Sequence, residues 1–231
     1  PLPCMTLPQF QPRAALQAPV HIEAGCEVFS VPVDGQRVRF RSTAPVDLEP
    51  LQLLSSQWEG GSGQERSIVL NFSLTVANPN DWKSDSLRFY LGGGLADASK
   101  LMRLLQLNLR EIRIAAPGQP VTLLPAKYLR SVGFDTNNQL LPFPNNAHPA
   151  YRCLQEYFAL PEKFLFVELS GFQQWHAREA GGQFSVRLMF ENLPDWTMEL
   201  SSNSFMLGVT PAINLFNQQA HPLRIDHKQT D

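Results

Sequence analysis

The chain has 231 residues, of which 43% are hydrophobic and 17% are charged, and its formal net charge is −2. This length and composition are those of a globular protein that is large enough to bury a substantial core. The nearly neutral charge excludes a strong long-range attraction to nucleic acid or to acidic membranes. No apolar run reaches the roughly 20 residues of a membrane-spanning helix.

The N-terminal segment 1–19 is rich in proline, glutamine and alanine and has no hydrophobic period. We predict an arm or linker there, which either lies along another surface or is mobile. The chain begins at Pro1 rather than at methionine, and we expect it to be a fragment of a longer protein.

A β-hairpin is predicted early in the chain, because Asp34-Gly35 is a strong turn signal between two β-type patterns. After the turn, Arg37, Arg39 and Arg41 alternate along one face of the second strand. Three arginines on one face could bind a phosphate or an acidic partner. Solvated side chains or ion pairs are the commoner explanation in a chain that is not basic overall.

The middle of the chain alternates clearly over Ile68–Val76, which predicts a half-buried strand, and Leu87–Leu91 predicts the next one. Gly92–Gly94 then precede a helix predicted at about 96–106. A glycine run between a strand and a helix occurs in phosphate-binding loops, but no Lys-Ser/Thr pair follows and Asp97 would repel an anion at the helix N-terminus. A tight turn is therefore the better interpretation. The apolar stripe of this helix is predicted to be core and consists of Leu101, Met102, Leu104 and Leu105.

Pro117-Gly118-Gln119-Pro120 is the best candidate for a boundary in the middle of the chain. We therefore predict a β-rich domain over 20–117 and a second β-rich domain, with a central helix and strand, over 118–231. Because strand-type patterns dominate both, the fold class is mainly β (α+β), with two or so docked helices at about 96–106 and 149–160.

The densest apolar stretch contains the second predicted helix, which runs from Pro149 to about residue 160, before Pro161. Asn146 or His148 is the predicted N-cap, and asparagine is the better capping residue. A fully buried strand is predicted over 164–167. The apolar residues of the helix recur at spacings of three and four, which predicts that this stripe docks on the core; they are Tyr151, Leu154, Tyr157 and Phe158.

Candidate partner-binding residues are aromatic. Trp175 follows Phe172 in a polar loop, and exposed tryptophans are enriched at protein interfaces. The ring could equally fold back over the core, and the sequence does not separate the two. Trp58, which leads into a glycine-rich loop, is the third candidate.

No catalytic, cofactor or metal site is predicted. The five histidines are scattered, the three cysteines form no CxxC pair, and no nucleophile motif of the GxSxG type occurs. Glu168 interrupts an apolar strand and could be a semi-buried carboxylate of functional interest. Its pairing with Arg152 or another arginine is the commoner explanation. Arg152 and Glu156, four residues apart on a helix, could also form an ion pair worth about 0.2–0.5 kcal/mol.

The same apolar stretch resembles the TssF family, whose members are baseplate subunits of the bacterial type VI secretion system. The resemblance rests first on the sequences YRCLQEYF at Tyr151–Phe158 and PEKFLF at Pro161–Phe166. Further segments in the family's order extend it over essentially the whole chain: Arg39–Thr43, Leu87–Gly92, Val132–Phe134, Leu140–Pro142 and Thr210–Phe216. These are packing motifs rather than chemical ones.

The resemblance implies a structural assembly protein and not an enzyme. Family members build the baseplate wedge with TssG, join TssE and TssK, and surround the VgrG hub to support the tube and sheath. It also implies β-sandwich-like domains, contacts with other TssF copies, and a place at the cytoplasmic side of the inner membrane, without direct membrane insertion and without nucleic acid. TssF proteins are longer than this chain, in agreement with a fragment.

A second function class is also compatible with the sequence. A carbohydrate-binding β-sandwich module, or a glycosidase accessory domain, would also be mainly β without a visible catalytic site. It requires Trp58, Trp175 and Trp196 to form a flat, exposed row of rings.

Overall fold

The computed structural model describes residues 2–61, 65–134, 139–142, 148–176, 182–194, 196 and 198–217. In these ranges most regular structure is β, as predicted, and two α-helices occur. The strands are β1 Met5–Thr6, β2 Val20–Ile22, β3 Glu27–Phe29, β4 Arg39–Ser42, β5 Val46–Leu48, β6 Leu51–Glu59, β7 Ser67–Leu74, β8 Leu87–Tyr90, β9 Leu109–Ala115, β10 Thr122–Pro125, β11 Leu129–Val132, β12 Phe166–Leu169, β13 Gln183–Phe190 and β14 Ala212–Ile213. The helices are α1 Leu95–Leu107 and α2 Pro149–Ala159, and short 3-10 helices occupy Pro79–Asp81, Ala126–Tyr128, Pro161–Phe164 and Phe172–Gln174.

The strands form four sheets, and every pairing between named strands is antiparallel. Their strand orders are β10-β9-β13-β7-β6, β1-β14-β4-β3, β11-β12-β8 and β2-β5. Strands far apart in sequence are therefore neighbours in space, because β13 lies between β7 and β9 and β12 lies between β11 and β8.

One large hydrophobic core joins the five-stranded sheet, the three-stranded sheet and α1. At its centre the ring of Phe72 on β7 stacks on Phe184 of β13 at 5.0 Å and contacts Phe89 of β8 at 6.2 Å. The predicted stripe of α1 is buried in this core, with Leu101 at 0% exposure. The prediction for this helix is confirmed to within one residue at each end.

The glycine run before α1 is a tight strand-to-helix turn, as predicted. Gly93 and Gly94 have φ values of +91° and +104°, which side chains other than glycine rarely adopt. Asp97 lies in the first turn of the helix and pairs with Lys100 at 3.3 Å.

The proline-rich stretch around residue 117 is not a linker between two sheets. It connects β9 to β10, which pair with each other from Ile114↔Thr122 to Glu111↔Pro125. Strands from both sides of this turn share three sheets and one core. The proline and glycine signals at this point thus indicate a hairpin connection, which uses the same residue types as an interdomain boundary.

The N-terminal segment lies along the protein's own surface. β1 pairs with β14, and the N–H of Phe10 donates to the carbonyl of Gly208 at 2.8 Å. Further along the arm, the Gln17 side chain donates to the carbonyl of Thr75 at 2.8 Å. The described part of the arm is therefore docked on the chain itself, and a contact of the arm with another protein stays a prediction.

A candidate protein–protein interface on helix α2

Helix α2 is bounded by the signals that predicted it. Pro149 occupies the first turn, and the His148 side chain accepts a hydrogen bond from the N–H of Ala150 at 3.2 Å, so His148 is the N-cap. Asn146, the alternative cap, lies outside the described residues. The helix ends at Ala159, two residues before Pro161.

The orientation of α2 is the reverse of the prediction. Its apolar stripe faces outward, with the following exposed fractions: Tyr151 66%, Leu154 56%, Tyr157 54% and Phe158 81%. The residues that the helix buries are Arg152 and Glu156. The prediction that the apolar stripe docks on the core is therefore wrong.

The reason is an ionic anchor beneath the helix. Glu156 is fully buried, and its Oε1 accepts hydrogen bonds from the backbone N–H groups of Leu140 at 2.8 Å and Leu141 at 3.2 Å. Its Oε2 accepts a hydrogen bond from the ammonium group of Lys163, which is itself 2% exposed. The Nε of Arg152 lies 3.9 Å from Oε1. A buried carboxylate is tolerated only with such compensation, so these contacts fix the polar face of α2 inward.

The anchor also joins α2 to its sequence neighbours on both sides. Leu140 and Leu141 precede the helix, and Lys163 lies in the 3-10 helix that follows it. Gly133 permits a close approach at the same place, because a Cβ atom there would lie 2.7 Å from the carbonyl oxygen of Lys163, and its φ is +117°.

Phe134 extends the exposed stripe beyond the helix. Its side chain is 58% exposed, and its ring centroid lies 4.8 Å from that of Phe164. Tyr157 contacts the same Phe164 ring at 5.9 Å and Phe158 at 5.7 Å. The result is a continuous surface of large apolar side chains, which we call the α2 aromatic surface: Phe134, Tyr151, Leu154, Tyr157 and Phe158.

A surface of this kind indicates binding to another macromolecule. Soluble proteins rarely expose several contiguous large apolar side chains unless a partner covers them, and tyrosine and phenylalanine are enriched at interfaces. The ionic anchor holds the helix in place before binding, which lowers the entropy lost on association. The large apolar and aromatic side chains of this surface are of the kind that favours binding.

The three aromatic residues predicted for an interface lie elsewhere. Phe172 and Trp175 are 0% and 2% exposed and pack against Phe184, whose ring centroid is 4.8 Å from that of Trp175. The Trp175 ring is thus folded back over the core, which is the second alternative. Trp58 is half-buried, and its indole N–H donates to the carbonyl of Met198 at 3.1 Å. A contact between these three residues and a partner stays a prediction.

Glu168 takes part in an ion-pair network on the three-stranded sheet. It lies opposite Arg88 on β8 and Arg130 on β11, and its carboxylate is 3.3 Å and 2.7 Å from their guanidinium groups. The predicted arginine pairing is confirmed, with these two residues in place of Arg152. In the ranges that the structure describes, no group of three His, Cys, Asp or Glu residues could hold a metal ion. None of the described helices is long and apolar enough to cross a membrane.

Comparisons with known proteins agree on one family. A family model described as "Type VI secretion system, TssF" matches residues 1–231. The type VI secretion system component TssF1 of Pseudomonas aeruginosa is 30% identical over 249 residues, a match that covers 99% of this chain and 40% of that protein. The chain therefore spans about two fifths of the length of this curated relative.

A solved structure shares the fold. One chain of the TssK-TssF-TssG baseplate subcomplex of the type VI secretion system, determined by cryo-electron microscopy, matches with a TM-score of 0.84. The match covers 97% of this chain and 43% of that chain, at 23% sequence identity.

Proposed function

Because the chain belongs to the TssF family of the type VI secretion system, we propose that it is part of a structural baseplate subunit and that its α2 aromatic surface contacts another subunit. The family match supports the baseplate role. The observation that supports the contact is the inverted orientation of α2, in which Tyr157 and Phe158 are 54% and 81% exposed above a buried ionic anchor.

TssG is the first partner in this proposal, and TssK is the second. The similar solved chain comes from a complex that contains both. The proposal extends, by family membership, to TssE, to the VgrG hub and to other copies of TssF, which together support the tube and sheath. It places the protein at the cytoplasmic side of the bacterial inner membrane, without nucleic acid and without membrane insertion.

The energetics favour an assembly contact at α2. Burial of a large apolar side chain contributes about 1.5–3 kcal/mol, so several such residues supply enough free energy for a stable interface. Aromatic residues held rigidly at the centre of a contact are typical hot spots, where truncation costs about 2 kcal/mol or more. A subunit of this kind requires rigid β-sheets and broad contacts, and the proposal includes no catalytic activity.

A carbohydrate-binding function finds no support in the positions of the tryptophans. Trp175 is buried, and Trp58 and Trp196 are half-buried against the same core, so the three rings do not form an exposed row. A cavity of about 500 Å³ lies between the N-terminal arm and β5, and none of these tryptophans lines it. The assembly role is therefore the single function that we propose.

The test is co-purification from cells that express the tagged full-length protein with untagged TssG and TssK of the same organism. Phe158→Asp introduces a charge at the most exposed ring of the surface. Leu107→Asp is the matched control, since Leu107 is 70% exposed at the end of α1. We expect the wild type and the control to retain TssG and TssK, and Phe158→Asp to lose at least one of them while its melting temperature stays unchanged.

Two results would contradict the proposal. If the wild type retains neither TssG nor TssK, the assembly role is wrong. If Phe158→Asp retains both as well as the control does, the α2 aromatic surface is not the contact.

A further inference from the structure

The hairpin formed by β3 and β4 exposes a second surface, which lies at the edge of the four-stranded sheet and includes no residue of α2. Its turn is tight, with positive φ at both central residues, +50° at Asp34 and +77° at Gly35. This conformation matches the twist of the two strands. Phe29 is 59% exposed and Val31 is 79% exposed.

β3 is the outer strand of its sheet, whose order is β1-β14-β4-β3. The backbone hydrogen bonds to β4 involve alternate residues of β3. The backbone N–H of Ser30 donates to the carbonyl of Val38 at 2.9 Å, and the carbonyl of Cys26 accepts from the backbone N–H of Ser42 at 2.9 Å. In an antiparallel pair the residues between these point their backbone groups away from the partner strand.

The outward N–H groups are those of Glu27, Phe29 and Val31. By the alternation of the ladder they point away from β4, and among the described residues they make no backbone hydrogen bond outside the β3–β4 pair. An edge with unpaired backbone N–H groups and exposed apolar side chains is a template for another strand. The carbonyl of Val31 already accepts a hydrogen bond from the Ser30 hydroxyl at 2.7 Å, so a partner strand would pair with Val31 through its N–H group. Pro32 follows Val31 and limits the template to about five residues.

The neighbouring strand gives this edge a positive charge. Arg41 lies opposite Glu27 and Arg39 lies opposite Phe29, so these side chains share one face, and Arg37 follows on that face by alternation. Arg39 is 3.7 Å from Glu27 and lies over the ring of Phe216 at 3.8 Å. Among the described residues, Arg37 and Arg41 form no ion pair.

We propose that the β3 edge binds an extended, acidic segment of a partner protein, which adds to the sheet as a fifth strand. Its backbone would pair with the outward groups of β3. The added strand would lie next to β3, and the arginines are on β4, one strand further in. Adjacent strands lie about 4.8 Å apart, and arginine and glutamate both have long side chains, so the carboxylates of the added strand could pair with Arg37 and Arg41. Backbone pairing supplies affinity in this mode, and the charges select the partner.

This inference does not depend on the proposed contact of α2, and it is tested separately. The probe is a fluorescein-labelled peptide of about eight residues in which glutamate alternates with valine and threonine. Its binding to the full chain is measured by fluorescence anisotropy at low ionic strength. We expect saturable binding whose affinity falls as the salt concentration rises, because salt screens the attraction between the arginines and the carboxylates of the peptide.

Three comparisons define the site. Arg37→Glu, at an exposed position, should weaken binding about tenfold, and Arg41→Glu should do the same. Arg103→Glu is the control, because it makes the same change in net charge at an exposed position on α1. It should change the affinity by less than about twofold. A peptide of the same sequence with methylated backbone nitrogens should not bind, because it lacks the donors for strand pairing.

Three results would contradict the proposal. Equal binding of the methylated peptide shows that simple charge attraction suffices and overturns strand addition. An equal loss in Arg103→Glu shows that the site is not at β3, and no binding of the acidic peptide to the wild type overturns the proposal as a whole.

Discussion

Replacing Glu156 by glutamine tests whether the ionic anchor holds α2 with its apolar stripe outward. Glutamine keeps the volume of the side chain, and its oxygen can still accept the N–H groups of Leu140 and Leu141. The substitution removes the negative charge, and it leaves Lys163 buried at 2% exposure without its carboxylate partner.

The expected loss is large because one partner of a buried ion pair disappears. Such a change costs about 3–5 kcal/mol, whereas a similar change at a solvent-exposed pair costs less than about 1 kcal/mol. For a chain of this size each kcal/mol lowers the melting temperature by about 2–4 °C. We therefore expect Glu156→Gln to melt about 10 °C below the wild type.

The assay is thermal unfolding followed by circular dichroism, with Glu199→Gln as the control. Glu199 is exposed, and its replacement should change the stability by less than about 0.5 kcal/mol. Adding Lys163→Met to Glu156→Gln should restore part of the loss, because the two residues are coupled. A Glu156→Gln variant that melts within about 2 °C of the wild type would refute the anchor.

Three further predictions concern other parts of the fold. Gly208→Ala should detach the N-terminal arm, because its Cβ would lie 2.4 Å from the carbonyl oxygen of Phe10 at a φ of +73°, and faster proteolysis within the arm would show it. Leu101→Ala, which leaves a cavity in the core beneath α1, should cost about 2–5 kcal/mol in chemical denaturation. The hydrogen bond of His21 to Asp47 raises the pKa of this histidine above its usual 6.5, so the pair stabilises the fold below that pH and the contribution is lost as the pH rises through the raised pKa. Asp47→Asn should lower the pKa of His21 in an NMR titration, and an unchanged pKa would contradict this assignment.

Local patterns were sufficient to predict the mainly β fold and both helices. The alternation at Ile68–Val76 predicts β7, and the prolines at 149 and 161 bracket α2. These signals act within a few residues of the elements that they define, so they can be interpreted from sequence alone.

The face that α2 buries depends on residues from outside the helix. The apolar spacing of Tyr151, Leu154 and Phe158 is typical of a core-facing stripe. The compensation of Glu156 comes from Leu140, Leu141 and Lys163, and the sequence does not show that these groups meet. The one signal is Arg152 and Glu156 on the opposite side of the helix, whose spacing by itself predicts only an ion pair worth about 0.2–0.5 kcal/mol.

The burial of Trp175 also depends on residues that are distant in sequence. Its polar neighbours in sequence suit an exposed position, while its contact with Phe184 on β13 comes from the tertiary fold. The turn at 116–121 is a comparable case, because the same prolines and glycine suit a hairpin and a linker, and only the pairing of β9 with β10 distinguishes them.

The most direct test of the central claim is photocrosslinking from the α2 aromatic surface in the assembled complex. The photoreactive residue p-benzoylphenylalanine replaces Phe158 in the full-length protein, which is expressed with TssG and TssK, and the same residue at position 107 on α1 serves as the control. We predict a strong crosslink from position 158 to one of these two subunits, TssG first, and little or none from position 107. A crosslink from position 158 that stays within its own polypeptide, or that is no stronger than the control, would contradict the claim that this surface is an assembly contact.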